Sequence, residues 1–187
     1  ARVVAADERE TTDLRALRFG MRALSTDPAI ASTNTFNPTS GTLYLNKLVV
    51  PAGAMSKMGI IVATTFTGQT YGGLVAYTSD GTTLTQAALV DVTSLLGNGS
   101  TPRSFTAFNT QAQQTVYVGL VVVGASAGAL RVIGSSTVGP NAFVSTGEYP
   151  QAVGATGIAT SADVPATIAV SALSAASISG QLVVGIG

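Results

Sequence analysis

The run Thr115–Val123 (TVYVGLVVV) constrains the fold more than any other stretch of this chain. Read as a strand, it points Val116, Val118, Leu120 and Val122 one way and Tyr117, Val121 and Val123 the other. A strand that is apolar on both faces must be covered on both, which places it in the middle of a layered β structure. The apolar run around it is about half of the ~20 residues that a membrane helix needs.

Further strand-like runs surround it: Leu43–Val50, Met58–Phe66, Gly73–Thr78, Thr83–Ala88, Ser104–Phe108, Leu130–Ser135, Ala166–Val170 and Gln181–Ile186. Asp80-Gly81 lies between two of them and marks a tight hairpin. No helical period intervenes. The pattern predicts a mainly β domain over residues 43–187, a jelly-roll-like antiparallel β-sandwich. Residues 28–42 read as a polar linker, and residues 136–165 as a long surface loop of small residues.

The front of the chain differs in kind. Five arginines and five acids precede Pro28, against four residues of each sign in all the rest. Asp7, Glu8, Glu10 and Asp13 precede Arg15, Arg18 and Arg22, an order that complements a helix dipole and predicts an amphipathic helix over 7–25. Within RALRFGMRAL and the residue before it, Leu14, Leu17, Met21 and Leu24 form one a/d-like stripe, with Arg15, Arg18 and Arg22 beside it. An isolated helix of this length is marginal in water, so the stripe needs a surface to lie on. Spacing alone allows that surface to be the chain's own β domain. The heptad recurrence and the concentration of charge point instead to a neighbouring chain. On this reading residues 1–27 are an anchoring and oligomerisation segment.

Little remains for chemistry. The chain has no cysteine and no histidine, so the commonest nucleophile–base pairs and soft metal sites are missing. No G-x-S-x-G elbow or phosphate-cradling glycine motif occurs. The acids of the β region, Asp80, Asp91, Glu148 and Asp163, sit in turn-like or loop-like stretches with no calcium-loop spacing. A net charge of zero offers no field to attract nucleic acid or anionic lipid. The expectation is a protein that is not an enzyme, with no cofactor, no metal, no nucleic-acid partner and no membrane insertion. Tyr71 and Tyr149, in loop-like positions, are a weak candidate platform for glycan stacking, although packing is the commoner role of such rings.

The stretch PTSGTLYLNKLVVPAGAMSKMGIIVATTFTGQTYGGLVAYTSDGTTLTQAA resembles the β-sandwich domain of minor tail and fibre proteins from phages infecting actinobacteria. The resembling features are the SGTLYL first strand, the VPAG turn, the Ile/Val strand, the GG strand and the Tyr–Asp-Gly hairpin. VYVGLVV follows, before a Gly/Ala/Ser-rich tail. The resemblance spans roughly residues 38 to 187 and rests on strand order. It implies a virion structural protein, assembled in the host cytoplasm, that packs with copies of itself, a homotrimer first, and with other virion proteins. It also implies contact with the host surface, where a cell-surface glycan is the partner to expect. A capsid decoration protein and a glycan-binding adhesin module are the alternatives. The family has no catalytic residues to carry over, and this chain lacks the tryptophans frequent in it.

Overall fold

The computed structural model describes residues 21–24, 35–97, 99–100, 102–124, 127–133, 151–176 and 181–187. They form two curled antiparallel sheets stacked as a sandwich. In chain order the strands are β1 (Ala23–Leu24), β2 (Thr35–Phe36), β3 (Leu43–Val50), β4 (Gly53–Thr67) and β5 (Tyr71–Ser79). Then come β6 (Thr83–Asp91), β7 (Gly99–Ser100), β8 (Arg103–Thr110), β9 (Gln114–Val123) and β10 (Ala127–Ile133). The last are β11 (Gln151–Ala155), β12 (Thr167–Ala169), β13 (Ser174–Ala175), β14 (Gln181–Leu182) and β15 (Val184–Ile186).

One sheet runs β12-β6-β5-β9-β3-β11-β13, with β9 at its centre between β5 and β3. The alternation read from Thr115–Val123 is realised there. Val116, Val118, Leu120 and Val122 enter the core between the sheets. Tyr117 and Val121 enter a second core on the outer face, and Val123 packs against it. That outer core is closed by the segment 151–176, which contributes Ala152, Ile158, Val164, Ile168 and Leu173. Each large apolar side chain buried this way contributes roughly 1.5–3 kcal/mol.

The other sheet is organised by β4, which is long enough to bend and serve several partners. Its first half pairs with β8 (Met55↔Phe108) and its second with β10 (Leu130↔Val62), while β15 joins near its middle (Ile186↔Met58). The segment 181–187 thus pairs first with β10 and then with β4.

The hairpin expected at Asp80-Gly81 joins β5 to β6. Gly81 sits at φ +94°, where a side chain would be strained, and Asp80 Oδ1 accepts from Thr82 N, Thr82 Oγ1 and Thr83 N at 2.7–2.8 Å.

Three expectations change. The N-terminal helix is not supported: the described residues contain no α-helix, and Ala23–Leu24, inside its expected span, are extended and paired with Ile186 and Gly185. Arg22 N donates to Ile186 O at 2.7 Å, so a sheet ladder takes the backbone bonds that a last helical turn would have used. The start of the span, residues 7–20, lies outside the described residues. The linker gives way within 28–42, where Thr35–Phe36 pair with β10 and Gly41 N donates to Val122 O at 2.9 Å. The expected loop 136–165 holds a strand, β11, paired with β3 from Gln151↔Asn46 onward.

Candidate functional site

On the outer face of the β9 sheet, Lys47, Tyr117, Tyr77 and Gln86 lie opposite one another across β3, β9, β5 and β6. The segment 151–176 covers part of this row. Tyr77 Oη donates to Pro165 O at 2.7 Å, and Gln86 Nε2 donates to the same carbonyl at 3.5 Å. Burial pushes the Tyr77 phenol up to about 12, against the opposing effect of a hydrogen bond with Gln86.

Beyond that cover the face opens into a groove of about 320 Å3. Lys47 and Tyr117 line it, together with Ser79, Asp80 and Gly81 of the hairpin, Gln113, Gln114 and Thr115, and Val170. Hydrogen bonds hold each wall. Gln111 N donates to Gln114 Oε1 at 2.9 Å and Gln114 N to Gln111 O at 3.2 Å, closing the β8–β9 turn. Val170 N donates to Thr82 O at 2.8 Å, tying the third wall to the hairpin. The N–H donors of Thr82 and Thr83 hold the Asp80 carboxyl below its ordinary value, so Asp80 is ionised at neutral pH.

The residues singled out from the sequence fall elsewhere. Leu14, Arg15, Leu17, Arg18 and Tyr149 lie outside the described residues. Met21 is 4% exposed and packed within this same chain, its Cε beside Gly59. Leu24 pairs with Gly185 through its backbone. Arg22 is exposed and donates to Ala54 O at 3.3 Å. Tyr71 is 5% exposed, inside the outer core, and presents no ring face to a ligand. Burial, and secondarily the charge of Asp91, raise its phenol pKa.

The three described acids of the β region serve their own turns. Asp91 Oδ1 accepts from Thr93 N and Oγ1, and Asp163 Oδ2 accepts from Ala159 N, Thr160 N and Thr160 Oγ1. Among the described residues no three acids, histidines or cysteines come together. None of the described helices is long and apolar enough to cross a membrane. The groove residues Gln113 and Gln114 were overlooked in the sequence. Their signal was QAQQ at 111–114, a run of amides between two strand patterns where Gly, Asn or Asp would ordinarily make the turn. No protein-family model matches the chain, and no curated protein sequence matches it.

Proposed function

We propose that the chain is a structural protein of a phage virion, of the minor tail or fibre type, working by packing and surface contact and not by catalysis. The observation that carries this reading is the antiparallel sandwich over the span of the resemblance, the fold class that the resemblance implies. Its described carboxylates are spent on its own turns. A domain with few charged side chains suits close packing of many copies, because few charges need desolvating at each contact.

Within that reading the sandwich is jelly-roll-like and the trimer is the first assembly to test. Docking belongs to the residues before Met21, since Met21 and Ala23 already belong to the sandwich. The partners are copies of the chain and other virion proteins, and the site of action is the virion. The test is the double variant Leu14→Ser/Leu17→Ser. Its expected outcome is loss of assembly by light scattering and loss of incorporation into particles, with the β-type circular dichroism retained. Native mass and native incorporation in that variant would overturn the reading.

A further inference from the structure

We infer that the groove between the Ser79–Gly81 hairpin and the Gln111–Gln114 turn binds a single neutral sugar residue. The inference rests on the virion reading, and on the host contact that the resemblance implies, and names the surface that makes the contact. Its volume of about 320 Å3 lies at the small end of small-molecule sites, the scale of one pyranose ring.

The lining offers donors and acceptors in a mixture that suits hydroxyl groups. Lys47 brings an ammonium, Gln113 and Gln114 bring amides, and Ser79 and Thr115 bring hydroxyls. Ser79 Oγ already accepts Gly81 N at 3.1 Å, so its O–H proton is what it can offer a ligand. Thr82 and Thr83 bond to Oδ1 of Asp80, and a carboxylate keeps further acceptor capacity. A sugar hydroxyl both donates and accepts, which matches such a set better than a group of one polarity does.

Other ligand classes fit less well. One lysine and one ionised aspartate line the groove, so its own charges sum to no net positive field for phosphate. Tyr117 is 2% exposed and forms the floor, so no ring lies open for a nucleobase. One apolar side chain, Val170, lines the groove and is available for the C–H face of a sugar.

The walls are also preorganised. Gln113 is held at φ +60°, a conformation that glycine adopts more readily, yet a long amide stands there at the groove wall. The Gln111–Gln114 bonds on either side hold its backbone, so the turn itself needs no reordering when a ligand enters.

The experiment is an amide NMR titration of the full chain with galactose, glucose and mannose in turn, and with inorganic phosphate as the anionic control. At least one sugar is expected to shift residues 79–81 and 111–115, with phosphate giving no response there. Gln113→Gly removes the amide while relieving the backbone, and Ser79→Ala removes one hydroxyl. Each is expected to weaken sugar binding about tenfold, with the spectrum otherwise native. Absence of shifts with all three sugars, a response to phosphate instead, or undiminished sugar binding in both variants would overturn the inference. Incorporation into particles is a separate readout, so the groove can fail while the virion reading stands.

Discussion

Gln151 Nε2 donates to Oδ1 of Asn46 at 3.0 Å, and both side chains are fully shielded from solvent. The two residues face each other where β11 joins β3, on the side that looks toward the opposite sheet. A buried amide pair of this kind specifies a register, because sliding β11 by one residue would leave both amides buried against apolar neighbours.

Removing one partner is therefore expected to cost more than removing both. Gln151→Ala and Asn46→Leu should each destabilise by about 1–3 kcal/mol, since each takes a bonded partner away from a buried amide. The double variant Asn46→Leu/Gln151→Leu should fall short of the sum of the two single losses. Urea denaturation of the four proteins in a double-mutant cycle measures this, and strict additivity would show that the two side chains do not act as a pair.

The same junction shows what the sequence makes legible. β3 and β9 could be read directly because bulky residues alternate along them, and each side chain declares its own face. QAVGA at 151–155 has no such pattern. Its polar first residue is buried because Asn46 meets it, and its fourth position is glycine because Leu45 fills the space a Cβ would take. Both facts depend on residues about a hundred positions away. Residues 21–24 failed differently. Heptad spacing is compatible with a helix, but Ile186 offered a sheet edge that the local pattern could not reveal. The groove was the least legible feature, since its walls come from three separate turns that only the fold brings together.

Leu45 gives a second stability prediction. Its Cδ2 lies 2.7 Å from where a Cβ on Gly119 would stand, and its Cδ1 lies 2.7 Å from the same position on Gly154. Leu45 is fully buried and cannot swing into solvent. Gly154→Ala also brings a methyl to 3.1 Å from Ile168 Cδ1, and is expected to cost about 1–3 kcal/mol by overpacking. Gly119→Ala should cost at least as much, because the Tyr44 carbonyl also stands in the way. Thermal melting of both variants checks the direction, and an unchanged midpoint would refute it.

The segment 181–187 contributes core and ladder together. Leu182, Val184 and Ile186 are at most 1% exposed, and Gly187 O accepts from Ser56 N at 2.6 Å. Ile186→Ala is expected to cost about 2–5 kcal/mol, the range for a large core side chain cut back to a methyl. Deleting residues 181–187 should abolish the cooperative transition, since β4 then loses its ladder to β15. Chemical denaturation of the point variant and calorimetry of the deletion are the measurements. A cooperative transition in the deleted chain would show that the sandwich closes without this segment.

Acid should unfold the protein through its turns. Hydrogen bonds from Thr82 and Thr83 hold Asp80 below its ordinary value, those from Thr93 do so for Asp91, and those from Thr160 and Ala159 do so for Asp163. A carboxyl whose folded pKa is depressed stabilises the fold above the unfolded value, near 3.9, and loses that contribution as pH falls toward the folded value. Stability is therefore expected to be level from neutral pH down to about 5 and to drop below about 4, where the unfolded chain takes up protons first. The turns are exposed, so solvent screens each contribution, and the effect to look for is the slope with pH. Asparagine keeps an acceptor for the turn but cannot titrate. The triple variant Asp80→Asn/Asp91→Asn/Asp163→Asn should show a shallower loss of melting temperature between pH 5 and pH 2 than the parent chain. An identical acid slope in the triple variant would refute the assignment of acid sensitivity to these three turns.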